Sequence, residues 1–109
     1  MNAEIKQRWV DALRSGEYEQ TRGTLHKGDS YCCLGVLCLV MGMTKVPLDA
    51  NGNGYFIDSD GAEVGGFISN QEHLDTLGLE VHDIPPLYHM NDSEGRTFNQ
   101  IADYIEASL

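Results

Sequence analysis

The apolar positions of this chain fall into three helical-spaced segments and one continuous run, separated by polar, glycine-rich stretches. Over residues 3–15, Ile5, Trp9, Ala12 and Leu13 share one helical face with Val10 beside them, which predicts an amphipathic helix. Asn2 is placed as its N-cap and Gly16 as the residue that ends it. Trp9 lies inside the apolar stripe and reads as a core anchor. Near the other end, Thr97-Phe98-Asn99-Gln100 reads as a capping box. It opens a helix whose apolar face is Phe98, Ile101, Ala102 and Ile105, extending to Leu109. Ser69-Asn70-Gln71-Glu72 reads as a second capping box, opening a short helix to Leu77 that Gly78 closes.

The continuous run is Tyr31-Cys32-Cys33-Leu34-Gly35-Val36-Leu37-Cys38-Leu39-Val40-Met41. It is too short for a bilayer, which takes about 20 apolar residues. Leu, Met and Cys outnumber its β-branched residues, so it reads as a helix, buried on most faces. Asp29 or Ser30 is placed to cap it and Gly42 to end it, while Gly35 implies close approach of another element. Leu34, Val36, Leu37 and Val40 are the expected core of this helix.

Strand signals are shorter. Thr24-Leu25-His26 and Ser30-Tyr31 predict a hairpin around Lys27-Gly28-Asp29. Tyr55-Phe56-Ile57 and Ala62-Glu63-Val64 predict another around Asp58-Ser59-Asp60-Gly61, where Asp-Gly tolerates positive φ. Residues 43–54 read as a loop, Pro85-Pro86 as a break leading into an extended Leu87-Tyr88-His89-Met90, and residues 91–95 as a loop. Four short helices and one or two small antiparallel hairpins predict an α+β fold in a single domain, 1–109. The central helix should be packed by the N- and C-terminal helices.

Composition narrows the function. Seventeen Asp and Glu face seven Lys and Arg, for a formal net charge of -10, and the acids run along the whole chain. Direct nucleic-acid binding needs clustered cations, so the expectation is none. An acidic face that docks on a basic partner, or imitates nucleic acid, is the sharper reading of this charge. The start Met1-Asn2-Ala3-Glu4 carries no apolar signal segment, and three cysteines, two of them adjacent, do not make a disulfide framework. Both point to a cytoplasmic protein with no membrane attachment.

Trp9-Val10-x-Ala12-Leu13-Arg14-Ser15-Gly16, Tyr31-Cys32-Cys33-Leu34-Gly35-Val36-Leu37-Cys38, Met90-Asn91-Asp92 and Phe98-x-x-Ile101-Ala102-Asp103-x-Ile105-Glu106 occur in this order. The pattern resembles a family of small, functionally uncharacterised proteins from tailed bacteriophages and bacterial genomes. It covers both ends and the centre and leaves residues 43–80 largely unmatched. The resemblance implies a phage or prophage accessory protein in the host cytoplasm. It brings no catalytic residue with it.

Three constellations could carry chemistry. Asp49, Asn51, Asn53, Tyr55 and Asp60 stand at the ligand positions of a twelve-residue calcium loop, with Gly54 at position 6. Position 12 is Asp60 rather than Glu, Pro47 precedes the loop, and Gly61, Gly65 and Gly66 follow where a helix should leave. Cys32 or Cys33 at a helix start could be a nucleophile, with His82 or His89 as base and Asp83 or Asp92 to orient it. Zinc on His26 and the cysteines fails on spacing, because no two of Cys32, Cys33 and Cys38 share a helix face. The expectation is therefore a non-enzymatic binding protein with no cofactor. It would act on a host protein, another host macromolecule or a small-molecule ligand, for instance as a host-defence inhibitor, with dimerisation as a way to complete a small core. A small cysteine-dependent hydrolase and a calcium-binding module are the alternatives.

Overall fold

Asn2 and Gly16 bracket the first helix as their chemistry requires. A computed structural model describes residues 1–65 and 68–109 and begins with α1, Ala3–Arg14, where Asn2 Oδ1 accepts from Ile5 N at 3.0 Å. Two-residue strands follow, β1 (Glu19–Gln20), β2 (His26–Lys27) and β3 (Ser30–Tyr31). Helix α2, Cys33–Val40, is succeeded by β4 (Thr44–Pro47), β5 (Asn53–Ile57) and β6 (Glu63–Val64). Then come α3 (Gln71–Leu77), a 3-10 turn (Val81–Asp83), α4 (Ile84–Asp92) and α5 (Phe98–Ser108). The fold is α+β.

The strands form one mixed sheet in the order β1-β3-β2-β5-β4, with β6 also paired to β5. Among the described residues only β1 and β3 run parallel; the other pairs are antiparallel. Both expected hairpins are present. The first turns at Gly28-Asp29, and the second pairs Phe56 with Val64 and Ile57 with Glu63. His26 knits the sheet together, since its Nε2–H reaches the carbonyls of Val46 and Tyr55, each at 3.0 Å. Gly54, opposite His26 in the ladder, leaves room for that ring; a Cβ there would overlap the imidazole and the Val46 carbonyl.

Helix α2 is the centre of the core. Cys33 through Cys38 are buried without exception, and Val40 is half-buried. Helices α1 and α4 pack on α2, whereas α5 packs most heavily on α1 and also meets α4. Trp9 ties α1 to α2 through an Nε1–H bond to the Cys33 carbonyl, 2.9 Å. Leu25, Tyr31, Phe56 and Val64 complete the core from the sheet side.

Several local readings are corrected. Helix α2 is capped by Cys32, whose Sγ accepts from Gly35 N at 3.4 Å, because Ser30 is committed to the β3 ladder and Asp29 to the turn before it. Asn70, not Ser69, caps α3, accepting from Glu72 N at 2.9 Å. Residues 44–47 are a strand rather than loop, because β5 supplies a full antiparallel partner. Pro85 and Pro86 open α4 instead of breaking it, and residues 87–90 are helical. In the first helical turn the missing N–H groups have no intrahelical partner to lose.

Gly35 is where the apolar helix meets the chain before β2. A Cβ built on it would overlap the Leu25 carbonyl oxygen, which also accepts from Cys32 N at 3.1 Å. Gly35→Ala must therefore push α2 away from that backbone. The expected cost is about 1–3 kcal/mol, the range of an overpacked core. Urea denaturation checks it: a change under about 0.5 kcal/mol would show that the contact is not tight.

Candidate functional site

The cysteines sit at the start of α2 as anticipated, but the environment is that of a core. Cys33 is fully buried; its Sγ donates to the Leu87 carbonyl of α4 at 3.6 Å, and its backbone N–H donates to Asn91 Oδ1 at 3.2 Å. Burial pushes the Cys32 thiol up to about 11 and the Cys33 and Cys38 thiols well above their ordinary range. The helix-terminal amides lower these values, yet desolvation outweighs them. His82 is exposed on the 3-10 turn, where Glu80 and Asp83 are each 3.7 Å from its ring nitrogens. His89 is exposed on α4 beside the Tyr88 ring. Among the described residues neither histidine bonds to a cysteine. The components of a thiolate–imidazole pair are thus present but apart.

What the cysteine segment does touch is a buried carboxamide that sequence reading missed. Asn91 is fully buried at the end of α4. Its Oδ1 accepts from Cys33 N–H and from Gln20 Nε2–H at 2.9 Å. Its Nδ2 donates to the Thr21 carbonyl and to Asp92 Oδ1, both at 2.8 Å. Asp92 also accepts from Gly23 N at 3.0 Å, so it orders this loop rather than a histidine.

The calcium-loop residues do not converge. Residues 53–57 are β5, extended and paired on both sides, so Asp49 and Asp60 lie beyond opposite ends of that strand. A strand advances about 3.3 Å per residue, which separates ligands that a calcium loop must wrap round one point. Asp49 instead closes its own turn, accepting from Asn51 N at 2.9 Å and from Asn53 N at 3.1 Å. Tyr55 offers its carbonyl to His26. Gly66, named with the flanks of this loop, lies outside the described residues. No three His, Cys, Asp or Glu side chains among the described residues are grouped to hold a metal ion.

One side-chain hydrogen bond organises the β5–β6 corner. His73 Nε2–H donates to Asp58 Oδ2 at 2.7 Å, and Asp58 Oδ1 accepts from Asp60 N and Ala62 N, both at 2.9 Å. The hairpin tip is thereby clasped to α3. The bond from His73, then those from Ala62 and Asp60, hold the Asp58 carboxyl below its ordinary 3.8.

The order of charges along the chain shows a division that counting acids alone does not. Residues 46–95 carry ten of the seventeen acids and none of the seven Lys and Arg. Five of those seven cations are engaged within the fold. Arg14 bridges α1 to Asp103 and Glu106 of α5, and Lys45 pairs with Asp29. Arg96 pairs with Glu94, while Arg8 and Arg22 donate to the carbonyls of Val40 and Asn91. Asp60, Glu63, Glu72, Asp75 and Glu80 are left exposed without a Lys or Arg partner among the described residues. A cleft of about 410 Å³ opens between α3 and the 3-10 turn, with Asp75 and Glu80 on its lining together with Leu74, Leu79 and Val81. No helix among the described residues is long and apolar enough to cross a membrane.

Residues 1–51 are similar to a domain of unknown function, DUF8296. That match takes in the Trp9–Gly16 and Tyr31–Cys38 segments and ends before Met90-Asn91-Asp92 and the Phe98 segment. No curated protein and no solved structure matches the chain.

Two outcomes follow from these environments. The folded protein should react with iodoacetamide at neutral pH far more slowly than the same chain in denaturant, because its thiols are buried and neutral. A thiol labelled at the rate of the unfolded chain would overturn this. The Asp58 clasp should be complete above about pH 5 and lost as pH falls below about 4, through the depressed folded value. The wild-type urea midpoint should then drop more steeply from pH 5 to pH 3 than that of Asp58→Asn. Parallel profiles would show that the clasp does not contribute.

Proposed function

We propose that this chain is a non-enzymatic binding protein of phage or prophage origin, working in the bacterial host cytoplasm. It acts by presenting the exposed acids of residues 60–80 to a basic site on a host macromolecule. Inhibition of a host-defence component is the specific form of that action. The observation that carries the reading is the charge division: five exposed acids between residues 60 and 80 have no Lys or Arg partner among the described residues, while five of the seven cations are engaged with other groups. A uniform solubilising surface would intersperse both signs. Potential of one sign over a patch attracts oppositely charged partners and repels phosphate backbones. The hydrolase alternative lacks a histidine bonded to either thiol among the described residues, and burial disfavours the thiolate it needs.

Capture from host lysate tests this. The variant Asp60→Asn, Glu63→Gln, Glu72→Gln, Asp75→Asn, Glu80→Gln removes these five exposed charges. Glu4→Gln, Glu17→Gln, Glu19→Gln removes charge elsewhere. One host component should be retained by the wild type and by the second variant, and lost by the first. Its retention should also weaken as salt shortens the screening length to about 3 Å near 1 M. Identical capture by all three proteins, or none by any, would sink the reading.

A further inference from the structure

We infer that the cleft between α3 and the 3-10 turn is the seat of a lysine or arginine side chain from an extended segment of a protein partner. This rests on the binding reading above and gives it a location. The cleft holds two chemistries side by side. Leu74 and Leu79 are buried at its base, and Val81 stands in its wall at 59% exposed, one of two large apolar side chains so exposed among the described residues. Asp75 and Glu80, both exposed acids, belong to the same lining.

Each half of that lining restricts the occupant. A purely apolar ligand would desolvate two carboxylates without compensation, which is costly. A bare cation would gain nothing from Val81 and the leucines. Lysine and arginine satisfy both, because an aliphatic stem packs on apolar surface while the charged head remains at a polar edge. The volume of about 410 Å³ lies within the range of ligand pockets and exceeds what one side chain needs, leaving room for flanking backbone.

Among the described residues no Lys or Arg pairs with these carboxylates, although Glu80 shares a capping box with Asp83 and the Met1 ammonium, near Gly78 of the lining, donates to the Leu109 carbonyl. Gln71 Nε2–H donates to Asp75 Oδ1 at 2.8 Å, which adds no positive charge. His82 Nδ1 stands 3.7 Å from Glu80 and is largely exposed. No Lys or Arg lies between residues 46 and 95 to fill the cleft in sequence. Nucleic acid is the wrong occupant, because its phosphates would meet carboxylates.

The test is an amide-shift titration of the ¹⁵N-labelled protein with an eight-residue peptide of alternating lysine and alanine. An alternating glutamate and alanine peptide and free spermine serve as comparisons. The lysine peptide should shift Leu74, Asp75, Leu79, Glu80 and Val81 saturably, and the glutamate peptide should not. Asp75→Asn with Glu80→Gln should weaken the lysine peptide by about tenfold, as loss of close charge partners does. Val81→Ser should weaken it several-fold without changing its salt dependence. Shifts spread evenly over all exposed acids, equal affinity for spermine, or a Val81→Ser variant indistinguishable from wild type would each overturn the inference. Failure here is separable from failure of the binding reading. In that case the captured host component would survive Asp75→Asn with Glu80→Gln and be lost only in the five-site variant.

Discussion

The side chain of Asn91 is the joint on which the rest of the structure depends. A carboxamide has two acceptor positions and two donors, and all four are engaged here inside the core. Its partners belong to β1, to the residue following β1, to the first turn of α2 and to α4 itself. One small group thus fixes where the apolar helix starts, how the outer edge of the sheet meets it, and how α4 lies across both. Leaving such partners unsatisfied costs about 1–3 kcal/mol per buried group. The Trp9 bond to the Cys33 carbonyl performs a related task from the other side. The start of α2 is therefore held by polar groups even though its body is held by apolar contact.

The helices with strong periodic faces were legible in the sequence. Helix α1 with its Asn2 cap, and α5 with the reciprocal Thr97 and Gln100 bonds, lie where periodicity and capping chemistry place them. The close approach at Gly35 was legible too, since a residue without a side chain inside a packed helix has few other uses. Strand β4 was not, because Lys45 and Pro47 alternate with the β-favouring Thr44 and Val46 in a segment of four residues, which acquires order from β5 across the sheet. The start of α4 was misread because adjacent prolines usually mark a break. Their tolerance depends on falling in a first turn, which periodicity alone does not reveal.

The candidate sites divide in the same way. The motif spacing of residues 49–60 suggested convergence, but spacing measures distance along the chain, and β5 is extended. The cysteines stood at a helix start as expected, yet reactivity is set by solvent, and their burial follows from packing with α1 and α4. The charge division could have been found from the sequence by asking where Lys and Arg are missing rather than where acids occur. The engagement of most of the cations could not, since Arg14 reaches α5 only because α1 and α5 pack together.

That last contact bears on how the protein comes to be folded. Arg14 and Glu106 are 92 residues apart in sequence, and α1 has α5 as its most extensive helical neighbour. During synthesis the apolar stripe of Trp9 and Leu13 emerges long before the helix that covers it. The same delay applies to Cys33, whose backbone partner Asn91 follows 58 residues later. Non-local closure of this kind slows folding and prolongs the lifetime of exposed apolar surface. A nascent chain with this topology would keep that apolar surface exposed until α5 is made, despite a compact product of 12.6 Å radius of gyration.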